Sequence, residues 1–239
     1  PAVLPSRCLQ QLTDPDTAAR AGEAFGRFLH DLSDLPGPPL TEVLPGFHDT
    51  VARVSAFDSA LQADPMGRAV TLAAALPQVA HWRESLLAEA ARRQPIRVVH
   101  NDTKLNNLLF AVDGPEVICV LDLDTVMPGQ VRYDFGDLVR SAAFTADGRF
   151  SPAYCAAIAE GFARGVGALL STHERAALPR APQLVGFELA LRFLTDHLLG
   201  DGYFQVDRPG QNLARGLQQL ERVAALEAAA PIVGRIFTA

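Results

Sequence analysis

Residues 98–110 read VVHNDTKLNNLLF, with one His, one Asp, three Asn and a Lys standing between two short apolar runs. Unpaired polar groups are costly to bury. A fold that buries both runs must therefore turn between them and gather the polar groups at one end. A third run, VICVLDLD, follows the turn sequence AVDGPE and ends on Asp122 and Asp124. IRVVH, NLLFAV and VICVLDL are short and rich in β-branched residues. They predict three strands between residues 96 and 124.

The rest of the chain is patterned for helices. Ala21, Phe25, Phe28, Leu29 and Leu32 share a helical face, and the prolines of LPGPPL end that helix. Asp49 is placed to cap a helix running to about Leu61, and an Ala- and Leu-rich helix is expected over 65–93. Further helices are expected over 134–145, 151–170, 182–199 and 208–229. The fold class is therefore α+β and mainly helical, with a small β patch in the middle of the chain.

Composition removes several classes of function. A net charge of −6 gives no electrostatic footprint for nucleic acid. No apolar run approaches the length of a membrane-spanning helix, and PAVLPSRCLQQ lacks the pattern of a secretory signal. No membrane partner and a cytoplasmic location are the expectations. Cys8, Cys119 and Cys155 form no CxxC pair, which predicts reduced thiols and no zinc site. Lys104 is the only lysine beside twenty arginines, a ratio read as a bias of composition.

The spacing of the polar residues suggests chemistry. His100 and Asp102 end the first strand, Asn107 opens the second and Asp122 ends the third. Adjacent strands would bring Asp102, Asn107 and Asp122 to one end of the patch. Two carboxylates and a carboxamide are hard oxygen ligands suited to Mg²⁺, and a carboxylate left off the metal can act as a base. Taken singly, each of these residues is equally a turn former at a strand end. The joint spacing, with Asp124, favours a site.

HNDTKLNN resembles the His-x-Asp-x-x-x-x-Asn catalytic loop of the protein-kinase-like fold, and VLDLD resembles its metal-binding loop. There is no DFG and no APE segment. YDFGD follows instead, as in the aminoglycoside phosphotransferase and choline kinase superfamily. HNDTKLNN, LDLDTVMPG, YDFGD, PGFHDT and RFLTDHLLGDGYF together look like the N-acetylhexosamine 1-kinases. The resemblance implies ATP as co-substrate and Mg²⁺ as cofactor. It implies Asp102 as base, Lys104 near the transferred phosphoryl group, and Asn107 and Asp122 as metal ligands with Asp124 assisting. His100 is expected to pack the loop through backbone hydrogen bonds. Tyr133, Asp134 and Asp137 open a helix, and Asp134 is expected to order the loop. Arg192, Asp196, Asp201 and Tyr203 are candidates to hydrogen-bond a sugar, Phe204 to stack on it, and His48 to wall the pocket. Each also has an ordinary reading, as a helix end with a salt bridge or a capping motif.

The resemblance further implies that residues 1–15 are an interlobe connector and that 16–239 form a C-terminal lobe. The catalytic core would lie over 95–145 and the substrate-side helices over 146–239. No Gly-rich phosphate loop and no lysine precede Lys104, so a nucleotide-binding lobe is expected outside this chain, and this chain alone is expected to be weakly active. The partner is a small molecule, either a sugar or, alternatively, an aminoglycoside or amino alcohol. Oligomeric state is not readable. Two rivals remain. VICVLDLDTV also fits a haloacid-dehalogenase-type phosphatase, with Asp122 as nucleophile and Asp124 as acid/base. A helical binding module without catalysis is the other, and replacing Asp102 discriminates it.

Overall fold

The computed structural model describes residues 5–237, so residues 1–4 of the expected connector lie outside the described residues. Along the chain come β1 (Ser6–Cys8), α1 (Pro15–Asp31), α2 (Thr50–Ala63), α3 (Leu76–Ala90), β2 (Arg97–Val99), β3 (Leu108–Ala111), β4 (Val117–Val120), β5 (Met127–Gly129), α4 (Val131–Ala142), α5 (Pro152–Val166), α6 (Thr172–Ala177), α7 (Ala181–Leu199), α8 (Gln211–Ala225) and α9 (Ala229–Phe237). They form two compact units. One holds residues 1–45, 94–182 and 225–239, the other 46–93 and 183–224.

The first unit carries both small sheets. β3 pairs antiparallel with β1 and β4, whereas β2 pairs antiparallel with β5. The three expected strands are present, but they do not form one patch. β2 leaves its sequence neighbours for MPG, a segment whose proline and glycine hide a strand from pattern reading. β1 likewise falls inside the stretch expected as connector.

Helix starts follow local chemistry. The Asp14 carboxylate accepts the Thr17 amide at 2.8 Å, and Pro15 opens α1 with no amide to satisfy. Ser151 caps α5 before Pro152, and Ser171 with Glu174 forms a capping box on α6. Asp49 caps α2 through the Ala52 amide at 2.9 Å, as its position predicts. The helix expected over 65–93 is interrupted. Asp64 adopts φ 36° and Gly67 φ 64°, a 3₁₀ turn covers Ala69–Leu72, and α3 begins only at Leu76. The helix expected to 170 stops at Gly167 (φ 56°). The one expected over 208–229 ends as α8 at Ala225, followed by a 3₁₀ turn over Leu226–Ala228 and then by α9.

The core of this unit gathers Phe25, Phe110, Phe135, Phe162 and Phe237 with surrounding Leu, Ile and Val. Its tightest contact is the crossing of α1 and α5. A Cβ on Gly22 would lie 2.2 Å from the Ile158 carbonyl oxygen, and one on Gly161 would lie 2.0 Å from that of Ala19. Gly26 and Gly165 are similarly closed in by the opposing backbone. The two helices therefore touch backbone to backbone, which only glycine permits. Cys155 lies in this core, where burial pushes its thiol up to about 12.

Arg97 of β2 reaches the buried Glu174 with a two-pronged contact, Nε to Oε1 at 2.5 Å and Nη2 to Oε2 at 2.9 Å. Burial acts to raise the Glu174 pKa, but the bonds from Arg97 and Ser171 outweigh it and hold the carboxyl below its ordinary value. A carboxyl depressed in the folded state binds fewer protons folded than unfolded. Its stabilisation is complete above the unfolded pKa and is lost as pH falls through the folded one. Arg97→Ala strands a buried charge and should cost about 3 kcal/mol at pH 7. In urea melts the gap from the parent should shrink below about pH 4.5, and a gap independent of pH would refute this origin.

The second unit is built from α2, α3, α8 and the part of α7 from Gln183 onward. Phe57, Leu72, Leu86, Phe187, Leu191, Leu194 and Leu198 are among its buried residues. Among the described residues no helix is long and apolar enough to cross a membrane.

Candidate active site

The loop after β2 is held in place by α4. Asp134, in the first turn of that helix and 1% exposed, accepts the His100 amide at 2.9 Å and the Asn101 amide at 2.7 Å. Its backbone oxygen accepts the Thr103 hydroxyl at 2.5 Å. Three bonds from one residue thus fix three positions of the loop. Asn101 sits at φ 66°, a left-handed conformation that Asn tolerates. Its side chain donates to the Thr125 carbonyl at 3.0 Å, and the Thr125 hydroxyl donates to the His100 carbonyl at 2.7 Å. Gly129 leaves room for this arrangement, because a Cβ there would lie 2.4 Å from Val99 and 3.0 Å from the Asn101 side chain.

His100 is fully buried against Phe25 and Phe28. Its Nε2 faces the Leu121 carbonyl at 2.8 Å, which requires a proton on Nε2. Its Nδ1 lies 3.3 Å from the Asp102 amide, which requires a lone pair there. These partners assign the neutral Nε2–H tautomer. With both nitrogens engaged, His100 ties the 100–102 backbone to the residue before Asp122.

Asp102 is the partly open carboxylate at the tip, its side chain 23% exposed. Its Oδ2 takes the Lys104 ammonium at 2.9 Å and the Asn107 Nδ2 at 3.1 Å. Asn107 also donates to the Asp102 carbonyl at 2.7 Å. The amide nitrogen of Asn107 is thereby committed to Asp102, and its Oδ1 is the end that could ligate a metal. The Asn107 carbonyl accepts the Leu121 amide at 2.8 Å, so Asp122 is next in chain to a group bonded to Asn107. Asp122 adopts φ 60°, and both it and Asp124 are exposed. Among the described residues, no three His, Cys, Asp or Glu side chains converge as a metal cage. One carboxamide oxygen with one or two carboxylates instead suits Mg²⁺ held jointly by protein, water and phosphate oxygens.

In the second unit, Arg53, Ala56, Arg192, Thr195, Asp196, Leu199, Tyr203 and Phe204 line a cavity of about 210 Å³. Asp196 accepts the Tyr203 and Phe204 amides and the Asn212 side chain, each at 2.9 Å. Asp201 is paired with Arg68 at 2.6 Å and with Asn212 at 3.0 Å. Both carboxylates therefore build the 200–204 turn, and Asp196 lines the cavity as well. His48 bonds to the buried Glu188 at 2.9 Å and does not line the cavity. Arg192 and Tyr203 do face it, joined by a bond of 3.1 Å from Nη2 to the phenol oxygen.

Residues 5–170 match the family model described as APH, phosphotransferase enzyme family. The chain belongs to the phosphotransferase enzyme family. Its relatives in this family are kinases that act on hydroxyl groups. Solved structures of the same fold include an aminoglycoside phosphotransferase from Alicyclobacillus acidocaldarius, 15% identical with a TM-score of 0.58, covering 97% of this chain and 70% of that one. A choline/ethanolamine kinase family protein from Mesorhizobium loti is 20% identical with a TM-score of 0.50, covering 94% and 67%. The ADP-bound aminoglycoside phosphotransferase APH(2'')-Ib is 14% identical with a TM-score of 0.54, covering 93% and 71%. Family membership sets aside the haloacid-dehalogenase reading. Asp122 also follows a strand paired antiparallel, where that chemistry needs a parallel sheet.

Sequence reasoning passed over several residues of this phosphotransferase. Thr103 and Thr125 lock the loop, and only their place beside His100 and Asp124 signals it. Phe47 lies inside PGFHDT but was passed over for its neighbour His48, and Arg53, three residues beyond that segment, carries no motif of its own. Asn212, which bonds both Asp196 and Asp201, left no signal at all.

Proposed function

We propose that the described residues form the C-terminal lobe of a kinase that transfers the γ-phosphoryl group of ATP to a sugar hydroxyl, an N-acetylhexosamine being the first acceptor to test. The observation that supports this most is the setting of Asp102. It is a half-open carboxylate with Oδ2 fixed by Lys104 and Asn107, on a loop clamped by Asp134. Asp102 Oδ1 takes no hydrogen bond from the described residues and is the oxygen assigned to receive the hydroxyl proton. The acceptor oxygen bonds to the γ-phosphorus as the bond to ADP breaks. Lys104, 40% exposed, is assigned to the moving phosphoryl charge. Asn107 Oδ1 and Asp122, with Asp124, would hold Mg²⁺, which supplies neutralisation of the phosphate oxygens. The chain's own contribution is positioning and preorganised charge. Arg192 and Tyr203 are assigned to ligand binding in the second unit, with Asp196, Asp201 and His48 holding the surrounding turn and helix.

Phosphorus NMR of the protein with ATP, Mg²⁺ and N-acetylglucosamine tests the reading. An anomeric sugar-phosphate resonance appearing with ADP is expected. Transfer to an amino alcohol or aminoglycoside, with none to any sugar, would overturn the sugar assignment and keep the phosphotransferase.

A further inference from the structure

The cavity of the second unit has an unusual balance of charge. Two guanidinium groups, Arg53 and Arg192, line it with a single carboxylate, Asp196. Three N–H donors already occupy the oxygens of Asp196. Glu188 and Asp49, whose charges also reach Arg53, are likewise engaged, Glu188 by His48 and the Thr50 hydroxyl and Asp49 by the Ala52 amide. Elsewhere in this unit Arg68 pairs with Asp201 and Arg83 with Asp58, while Arg215, also without an acid among the described residues, spends Nη1 on Gln205 and Asn212. Among the described residues, Arg53 and Arg192 form no ion pair.

Their remaining contacts hold both groups in place without neutralising them. Arg192 stands 5.4 to 5.5 Å from the ring centres of Phe47, Tyr203 and Phe204, and its hydrogen bond goes to the Tyr203 hydroxyl. Arg53 donates through Nη2 to the Gly46 and Phe47 carbonyls, at 3.2 and 3.0 Å. Its Nε is buried with no hydrogen-bond partner. Burial first, and then the charge of Arg192, pull the Arg53 pKa below its ordinary value, so the two cations feel each other. Fixed forks with unspent donors beside aromatic faces are well suited to planar or tetrahedral oxyanions.

We propose that this cavity binds an acidic small molecule, whose carboxylate or phosphate oxygens bridge Arg53 and Arg192 while its ring lies against Tyr203 and Phe204. The cationic acceptors that name several proteins of this fold would be repelled from such a cavity. The proposal takes from the phosphotransfer reading only that the cavity holds a small molecule. It is tested by binding, whereas that reading is tested by turnover, so either can fail alone.

Calorimetric titration of the protein with glucuronate, glucose 6-phosphate, glucose and glucosamine is the experiment. At least one acid should bind about tenfold or more tightly than glucose, more weakly as salt rises, and glucosamine should not bind. Arg53→Met and Arg192→Met should each abolish the preference for the acid. Ala56→Glu, at an exposed lining position, should do the same without removing a packed side chain, which covers a failure of the arginine variants to fold. If neither acid is preferred over glucose, or if Ala56→Glu leaves the preference intact, the proposal is wrong.

Discussion

Asp102→Asn should lower kcat for phosphoryl transfer by about 10²- to 10⁴-fold, the usual contribution of a positioned general base, while the melting temperature stays within a few degrees of the parent. The substitution keeps an oxygen for the Asn107 amide and for Lys104, and the loop backbone is held by Asp134, His100 and Thr125 rather than by Asp102. KM for the acceptor should change far less than kcat, because the carboxylate is assigned to proton transfer and not to binding. Steady-state kinetics alongside a thermal melt separates the cases. Undiminished turnover would remove Asp102 from the mechanism. A non-catalytic binding module would show neither a kinetic nor a thermal response.

The largest effect on stability should come from a single methyl group at the α1–α5 crossing. Gly161→Ala places a Cβ 2.0 Å from the Ala19 carbonyl oxygen, with no flexible side chain to yield. Helix propensity alone would favour alanine by about 1 kcal/mol. Overpacking against backbone should exceed that and leave a net loss of about 3 kcal/mol, or roughly 10 °C in melting temperature for a chain of this size. Gly148→Ala is the control, since a Cβ there meets nothing within 4 Å and only its φ of 79° is unfavourable. If Gly161→Ala melts at or above the parent temperature, the helices are farther apart than described.

Signals that depend on one residue type in one local geometry could be read in advance. Asp49 caps α2 where its position says it should, and the spacing of His100, Asp102, Asn107 and Asp122 marks one connected loop system. Asp134 could be nominated only through the YDFGD resemblance, since the amides it accepts belong to His100 and Asn101 on a distant loop and not to its own helix turn. Pairing was less legible. Nothing in RVV says that its partner is MPG thirty residues on rather than LLFA, because register is set by tertiary packing. The boundary near Asp64 was legible from Pro65 and Gly67, but the breaks between Ala69 and Leu76 and at Leu226 were hidden by Ala- and Leu-rich sequence that favours helix on both sides. The roles of Asp196 and Asp201 went the other way. Their charge suggested contact with a ligand, and their geometry gives them a part in a turn that the sequence does not show, since it does not say which donors will reach a carboxylate first.

The ion pair between Lys104 and Asp102 has a practical consequence. Because the chain holds no other lysine, an amine-directed acylating reagent has one side chain to modify, and that side chain is salt-bridged to the carboxylate on which the proposed reaction turns. Peptide mapping of such an adduct reports the occupancy of this loop directly. Its yield with and without nucleotide therefore becomes a footprint of the proposed phosphate site, obtained without mutation or known acceptor.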